Sequence, residues 1–584
     1  MDSFTLWFNC NFFVLYNKTK MKMKTTKLWV FLLVVVAMTI SCKSENKKDE
    51  TKKEEVKKEE SKEVTLTDAE MEKAKKIFFN TCAGCHGTTR KGATGPSLLP
   101  DGDGKFASTK SFGTDGLVSI ITNGLPGGMP DWGKQGILSP DEVRLMAKFI
   151  QLPPPPVPKY TMDEVKKSWK LIIPVADRPT KPMTKRNWKN FFGVVLRDAG
   201  KVAIFDGDTK EKVTVLNTGF AVHILRTSSS GRYFYSIGRD GKVTLIDLWM
   251  ETPKIVAEAK ASFDARSVEV SKYNGSKGNF KDKYIIVGGY TPSHYVVFDA
   301  MTLKPLKLVK TDGKVLGKGE YREEARVASI VASHKDPIWV VNVKETGMVY
   351  LVDYSDLDKI DENTAKIPTA QFLHDGGWDH SGKYFLVAAN AVNKIVVIDV
   401  ENKKLETIID VGVKPHPGRG TNIHNKKHGW MWVTGHIGEG KITCIATDKG
   451  PNQWKVVKNI KMEGSGGGNL FVKSHPNSKH LWADRALNTQ VKLQRSIYVY
   501  DTETLDLVKT LKVPEKYKGR AVHMEYNKAG DEVWVSCWGK KDETTSAVLI
   551  YNDKTLELKH VIDGDWLVTP TGKFNVYNTA HDIY

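Results

Sequence analysis

The sequence predicts a small all-α domain followed by an all-β, eight-bladed β-propeller, on three observations. Helical periodicity surrounds a Cys-x-x-Cys-His string at residue 82, prolines crowd positions 153–158, and a run of β-formers recurs eight times through residues 160–584. The 584 residues carry 87 Lys and Arg against 68 Asp and Glu, a formal net charge of +19, with 40% hydrophobic and 10% aromatic residues. Such a chain can bury real cores and is not disordered. Six cysteines exclude a disulfide scaffold. The positive charge raises nucleic acid as a partner, a reading that depends on where the charges lie.

Residues 1–41 hold a basic run (Lys20, Lys22, Lys24, Lys27), the apolar stretch from Leu28 to Ile40, and then Ser41 and Cys42. This is the order of a secretory leader, and the apolar run is short for a spanning helix. Thr39-Ile40-Ser41-Cys42 is a loose lipoprotein processing site, so Cys42 is expected to carry lipid after cleavage. An ordinary signal peptide cut nearby is the alternative. Residues 42–63 form a tether in which eight Lys balance eight Asp and Glu. With nothing aromatic, it cannot build a core. Loss of residues 1–41, with five Lys and one Asp, leaves +15 of the +19.

The α-domain is placed at 64–152. Thr67-Asp68-Ala69-Glu70 reads as a capping box, and Met71, Ala74 and Phe78 continue at helical spacing. The string that follows, Cys82-Ala83-Gly84-Cys85-His86, is the signature of covalent c-type haem. The thiols add to the haem vinyls and His86 supplies an axial nitrogen to iron. A thioredoxin-like pair or half a zinc site needs no following histidine, and no second Cys pair lies nearby. The other axial ligand is expected from Met129, in the loop Gly127-Gly128-Met129-Pro130. Met146 is assigned to the core, in a helix opened by the capping box Ser139-Pro140-Asp141-Glu142. Met/His ligation suits electron transfer. The proline-rich segment 153–159 is a stiff linker.

Eight β runs follow: Val202–Asp206, Val243–Asp247, Val296–Asp299, Val349–Asp353, Ile395–Asp399, Ile442–Ile445, Ile497–Asp501 and Val548–Tyr551. Their starts lie 41 to 55 residues apart, a period that fits four strands per unit and hence one propeller blade each. A sandwich or several separate β domains would not need so regular a period. Cys444 and Cys537 stand in or beside these patterns and are expected to be buried thiols. His223, His374 and His416 stand in local contexts rich in Gly or Pro, whereas His475, His480 and His560 fit structural roles.

Several strings, in order, carry a resemblance: Arg197-Asp-Ala-Gly200, Ala221-Val-His-Ile224, Gly238-Arg-Asp240, Ala265-Arg-Ser-Val268, Asn342-Val-Lys-Glu-Thr-Gly347, His374-Asp-Gly-Gly-Trp378 and Pro415-His-Pro-Gly-Arg-Gly420. Over residues 66–584 the chain resembles cytochrome cd1 nitrite reductases. The resemblance implies a second, non-covalent cofactor, haem d1, in the propeller. It implies His223 as the proximal iron ligand and His374 and His416 as the distal, proton-donating pair. It also implies that Arg197, Arg239, Arg266 and Arg419 hold the macrocycle carboxylates, chemistry for which guanidinium is suited.

The implied reaction is one-electron reduction of nitrite to nitric oxide and water, with electrons entering through haem c. A small donor protein (a cytochrome c or cupredoxin), a homodimer and a periplasmic, lipid-anchored location are implied with it. Two departures stand out. Residues 42–159 contain no tyrosine, so the tyrosine lid of some members has no counterpart there, and His523 stands where a non-histidine residue is usual. A haem d1 biosynthesis dehydrogenase or a d1 carrier of the same architecture is the alternative, as is a quinone-cofactor dehydrogenase fused to a cytochrome. The paired His374 and His416 favour the reductase. With no basic helix to concentrate the charge, nucleic acid is disfavoured, and +15 suits an anionic substrate and an acidic cofactor.

Overall fold

The computed structural model describes residues 64–584 apart from short stretches at 93–94, 103–106, 126–128, 135, 155, 158 and 540–544. The leader, Cys42 and the tether lie outside the described residues. Among the described residues, four helices form the first domain: α1 (Asp68–Thr81), α2 (Ala83–His86), α3 (Thr109–Asn123) and α4 (Pro140–Phe149). Both expected capping boxes are present, Thr67 with Glu70 and Ser139 with Glu142. Ala74, Phe78, Leu117, Ile121, Val143, Met146 and Phe149 make the core, with Met146 only 1% exposed. Arg90 is buried against this core. Its guanidinium lies 4.1 Å above the Phe149 ring and donates to the carbonyls of Phe149 (3.0 Å) and Leu152 (2.7 Å). A short helix, α5 (Met162–Ser168), precedes the propeller and buries Val165.

Among the described residues, eight sheets have the propeller pattern of four antiparallel strands, one of them extended by a fifth. We call them blades I to VIII in chain order. Their first, innermost strands are Pro570–Asn575 (I), Ile224–Thr227 (II), Asp264–Val270 (III), Val327–Ala332 (IV), Leu373–Trp378 (V), Pro415–Asn425 (VI), Val472–Lys473 (VII) and Arg520–Tyr526 (VIII). Each innermost strand packs on that of the next blade, and the series closes from VIII through I to II. Blade I joins both ends of the propeller, since its other strands come from residues 192–217. The extra strand, Lys170–Leu171, pairs with the outer edge of blade II.

All eight β runs of the sequence repeat are the third strand of a blade. Their recurring aspartate caps the turn that follows. Asp247 accepts from the Trp249 N–H, Asp299 from those of Met301 and Thr302, and Asp501 from those of Glu503 and Thr504. Cys444 and Cys537 are buried, as expected, and burial pushes their thiols up to about 12 and about 11.

In an antiparallel blade, the start of the first strand and the turn between the second and third strands share one end. His223, Arg266, His374 and His416 lie at such starts, and Arg197 and Arg239 in such turns. The fold therefore gathers all six at one mouth. Register shifts interrupt the ladders between Leu373 and Gly376 and between His416 and Thr421. Irregularities of this kind re-aim side chains away from the pleat.

Farther along the innermost strands, buried charges pair around residues 582–584. Glu269, with no exposed side-chain surface, meets Arg419 at 3.0 Å and Arg226 at 3.4 Å, and Lys272 meets Asp582 at 2.6 Å. Buried charges tolerate no missing partner. Deletion of residues 570–584 is expected to remove the innermost strand of blade I together with Asp582, and to abolish cooperative folding of the propeller. A calorimetric scan that keeps a sharp transition would contradict ring closure by this segment.

Candidate functional site

The first centre is built on α2. Cys82 is half-buried, Cys85 is exposed, and both are free thiols. Burial pushes the Cys82 thiol up to about 11. His86 is 8% exposed, and its Nδ1 lies 2.8 Å from the Pro96 carbonyl. A carbonyl only accepts, so Nδ1 carries the proton and Nε2 keeps its lone pair. Burial lowers the pKa of His86, which further favours the neutral ring that a metal requires. Gly95 lets the chain pass this ring, because a Cβ there would come within 3.0 Å of Cε1. Met129 is half-buried against the same core, with its backbone paired to Leu125. Two thiols beside a neutral, oriented imidazole fit a covalently attached haem.

The second centre is the propeller mouth. His223 begins blade II, its N–H bonded to the Ile237 carbonyl at 2.9 Å. His223 is exposed although Ala221 and Val222 before it are buried, so the ring looks into an opening rather than into packed protein. The ring is open to the mouth yet walled by the propeller, and that desolvation, followed by Arg266 and Arg239, holds its pKa well below the usual value. The ring is therefore neutral and able to ligate.

In a ring of eight, blade VI lies diametrically opposite blade II. His416 stands on blade VI, and His374 on the adjacent blade V. Their ring centroids are 4.9 Å apart. His416 Nδ1 donates to the Leu470 carbonyl at 2.8 Å, leaving Nε2 free to face elsewhere. Asp484 holds that loop from behind, accepting from the N–H groups of Leu470 (2.8 Å), Phe471 (3.2 Å) and His523 (3.0 Å). Burial pushes its carboxyl up to about 6. Burial takes His374 down to about 4, with Asp375 acting in the opposite direction. Asp375 completes the group, 3.2 Å from His374 Nδ1 and 3.7 Å from His416 Nε2. Burial acts to raise its carboxyl pKa, but the neighbouring imidazoles hold it below the usual carboxylate range.

The four arginines differ in what they have to spare. Arg239 is engaged by Asp264 through two contacts of 2.6 and 2.7 Å, and Arg197 lies 2.5 Å from Asp198. Arg419 reaches Glu269, though its buried Nη1 has no hydrogen bond among the described residues. Arg266 has no carboxylate partner among the described residues, and its buried Nε is likewise unsatisfied. A neutral histidine in an opening, with the unsatisfied guanidinium of Arg266 near it, fits a planar metal macrocycle bearing carboxylates.

Comparison with known proteins agrees. Residues 186–579 match the family model described as Cytochrome D1 heme domain. The chain belongs to this family. Residues 69–150 match a second model, Cytochrome C oxidase, cbb3-type, subunit III, which places a cytochrome c domain before the d1 domain. Haem c and haem d1 are the cofactors of this pairing. The chain is 48% identical to a nitrite reductase of Stutzerimonas stutzeri over 542 residues, 89% of this chain and 95% of that protein. It is 26% identical to the dihydro-heme d1 dehydrogenase of Pseudomonas aeruginosa over 88% of this chain and 95% of that protein. Among solved structures, dihydro-heme d1 dehydrogenase NirN in complex with DHE aligns with a TM-score of 0.64 and 25% identity, covering 87% of this chain and 99% of that one.

The fold thus brings His223, His374, His416, Arg197, Arg239 and Arg266 to one mouth, sets the Arg419 guanidinium farther along with Glu269, and leaves Cys82, Cys85, His86 and Met129 in the other domain. Sequence reasoning missed Asp375 and Asp484. Asp375 directly follows His374, but only the bulged start of blade V carries it to His416. His523 lies half-buried at φ 53°, its ring between Phe471 (4.7 Å) and Phe574 (5.6 Å) on blade VIII. A groove of about 890 Å³ lies between α1 and blades II and III and includes Phe79, Phe220, Arg239 and Phe263 but none of these histidines.

The unequal engagement of the arginines sets an order for cofactor retention. Arg266→Leu is expected to lower the haem d1 content of purified protein more than Arg197→Leu. Equal d1 absorbance in the two variants would contradict it.

Proposed function

We propose that this protein is a respiratory nitrite reductase that converts nitrite to nitric oxide and water, taking single electrons through its cytochrome c domain. The observation that carries the reading is the His374–His416 pair, set 4.9 Å apart across the mouth from His223. Removing one oxygen of nitrite as water takes two protons, and two adjacent imidazoles can deliver them. The 48% identity to a nitrite reductase, against 26% to a dihydro-heme d1 dehydrogenase, supports reduction over cofactor biosynthesis.

In this reading His223 would ligate the iron of haem d1, and Arg197, Arg239, Arg266 and Arg419 would hold its carboxylates. When bound, haem d1 supplies the iron that takes up nitrite and passes it one electron. The residues of the chain do the rest. The Leu470 carbonyl fixes the His416 tautomer. Ser329 and Asn342 donate to the His374 carbonyl, at 3.0 and 3.2 Å, and hold its backbone in place. His374 is neutral before the substrate arrives, because burial disfavours its charged form. An approaching anion favours the imidazolium, so proton uptake accompanies substrate binding. In the first domain Cys82 and Cys85 would hold haem c, and His86 and Met129 would ligate its iron. We further assign the donor to a small cytochrome c or cupredoxin, the location to the periplasm with a lipid anchor at Cys42, and the assembly to a homodimer. Among the described residues no helix is long and apolar enough to cross a membrane.

His374→Ala or His416→Ala is expected to keep haem d1 bound while lowering nitrite turnover by about two to three orders of magnitude. Wild-type turnover in both variants, measured with a reduced artificial donor, would sink the proton-donor role. Met129→Ala is expected to lower the haem c potential and slow electron entry. An unaltered redox titration would refute that ligand.

A further inference from the structure

The c domain and the propeller meet through a buried carboxylate that the reaction chemistry does not use. Glu324 stands three residues before the innermost strand of blade IV and is 7% exposed. Its Oε1 accepts from the N–H and hydroxyl of Thr88, both at 2.7 Å. Its Oε2 accepts from the Thr89 N–H at 3.2 Å and from the Thr89 hydroxyl. These threonines follow His86 by two and three residues. Since the Thr88 hydroxyl donates to Glu324, its oxygen is free to accept from the Thr291 hydroxyl, 2.8 Å away on blade III.

Gly87 makes this approach possible. Its φ is +78°, and a Cβ there would stand 3.1 Å from Glu324 Oε2. Two residues on, Arg326 reaches α2 itself, donating from Nη1 to the Ala83 carbonyl at 3.0 Å. Glu345 fixes that guanidinium, 2.7 Å from its Nε, and also accepts from the Arg326 N–H at 2.7 Å. Farther out, Arg322 donates to the Lys91 carbonyl at 3.3 Å. The segment that presents the haem-ligating histidine is thus tied to the propeller on both sides of His86.

Contacts between domains of one chain are commonly small and polar, and they allow relative motion. A single buried carboxylate satisfied by four donors behaves differently. Separation would expose two backbone N–H groups and two hydroxyls and would strand a charge that burial had committed to them. Burial acts to raise the Glu324 pKa, but Arg326 and the two threonines override it, so the group stays ionised.

We propose that Glu324 is the latch that seats the cytochrome c domain on the propeller mouth, and that it thereby sets the rate at which the electron leaving haem c reaches haem d1. This rests on the reading that electrons enter through the c domain. Glu324 is a positioning residue, since it acts through the threonines that follow His86. One electron moves per event, oxidising the first haem and reducing the second.

The test uses the full holoprotein without nitrite, comparing wild type with Glu324→Ala and Glu324→Gln, each loaded with both haems as judged by absorbance. Hydrogen exchange of peptides spanning residues 83–92 is expected to rise at least tenfold in Glu324→Ala and less in Glu324→Gln, which keeps one acceptor. Electron transfer from haem c to haem d1, followed after rapid reduction of haem c, is expected to slow at least tenfold in Glu324→Ala. Wild-type exchange in both variants overturns the latch, and raised exchange with an unchanged transfer rate overturns its role in electron delivery. Should Glu324→Ala fail to load, Glu324→Gln carries the same two readouts. Since no nitrite is present, failure of the nitrite-reduction reading leaves both measurements intact.

Discussion

Ring closure is the constraint on which the rest of this structure depends. A blade cannot bury both of its faces alone, and eight blades do so only if the last meets the first. Here residues 570–575 supply the innermost strand of the blade whose other strands begin at Phe192. Closure fixes the diameter, and with it the opposition of blades II and VI. His223 and His416 hold opposite walls because the ring has eight members and is shut. The bulged strand starts then aim individual side chains within a frame they do not determine.

The same frame explains how so many charges are tolerated near the axis. At the mouth, Arg266 has no carboxylate partner among the described residues and keeps an unsatisfied donor. Farther along the inner strands the charges are matched, with Glu269 between Arg226 and Arg419 and Asp582 beside Lys272. An unsatisfied buried donor is costly, and this one-sided arrangement is stable in full only when an anionic group completes it. The positive balance noticed in the sequence is therefore partly local and partly structural.

Much of this was legible in the sequence, for reasons that differ by element. The eight β runs were visible because all are third strands, fully flanked in their sheets and hence apolar at nearly every position, and because each must end in a turn that an aspartate can cap. The α-domain was visible through its two capping boxes and through Cys82-Ala83-Gly84-Cys85-His86. Innermost strands were harder to see. His374-Asp-Gly-Gly-Trp378 and Pro415-His-Pro-Gly-Arg-Gly420 are rich in Gly, Pro and polar residues because they bulge toward a ligand, so they do not read as strands. Glu324 and Asp484 acquire their partners from residues distant in the chain, as Asp375 does its second, His416, and no local pattern announces such pairings.

The position of the c domain has a consequence for assembly. Phe79, Ala83 and Thr88 rest on the same end of the propeller that gathers His223, His374 and His416. A tetrapyrrole and a folded domain cannot use one doorway at once. Either the macrocycle is seated before the domain settles, or the domain must lift to admit it. On the proposed reading, docking of the c domain is in either case the step that seals the second cofactor in.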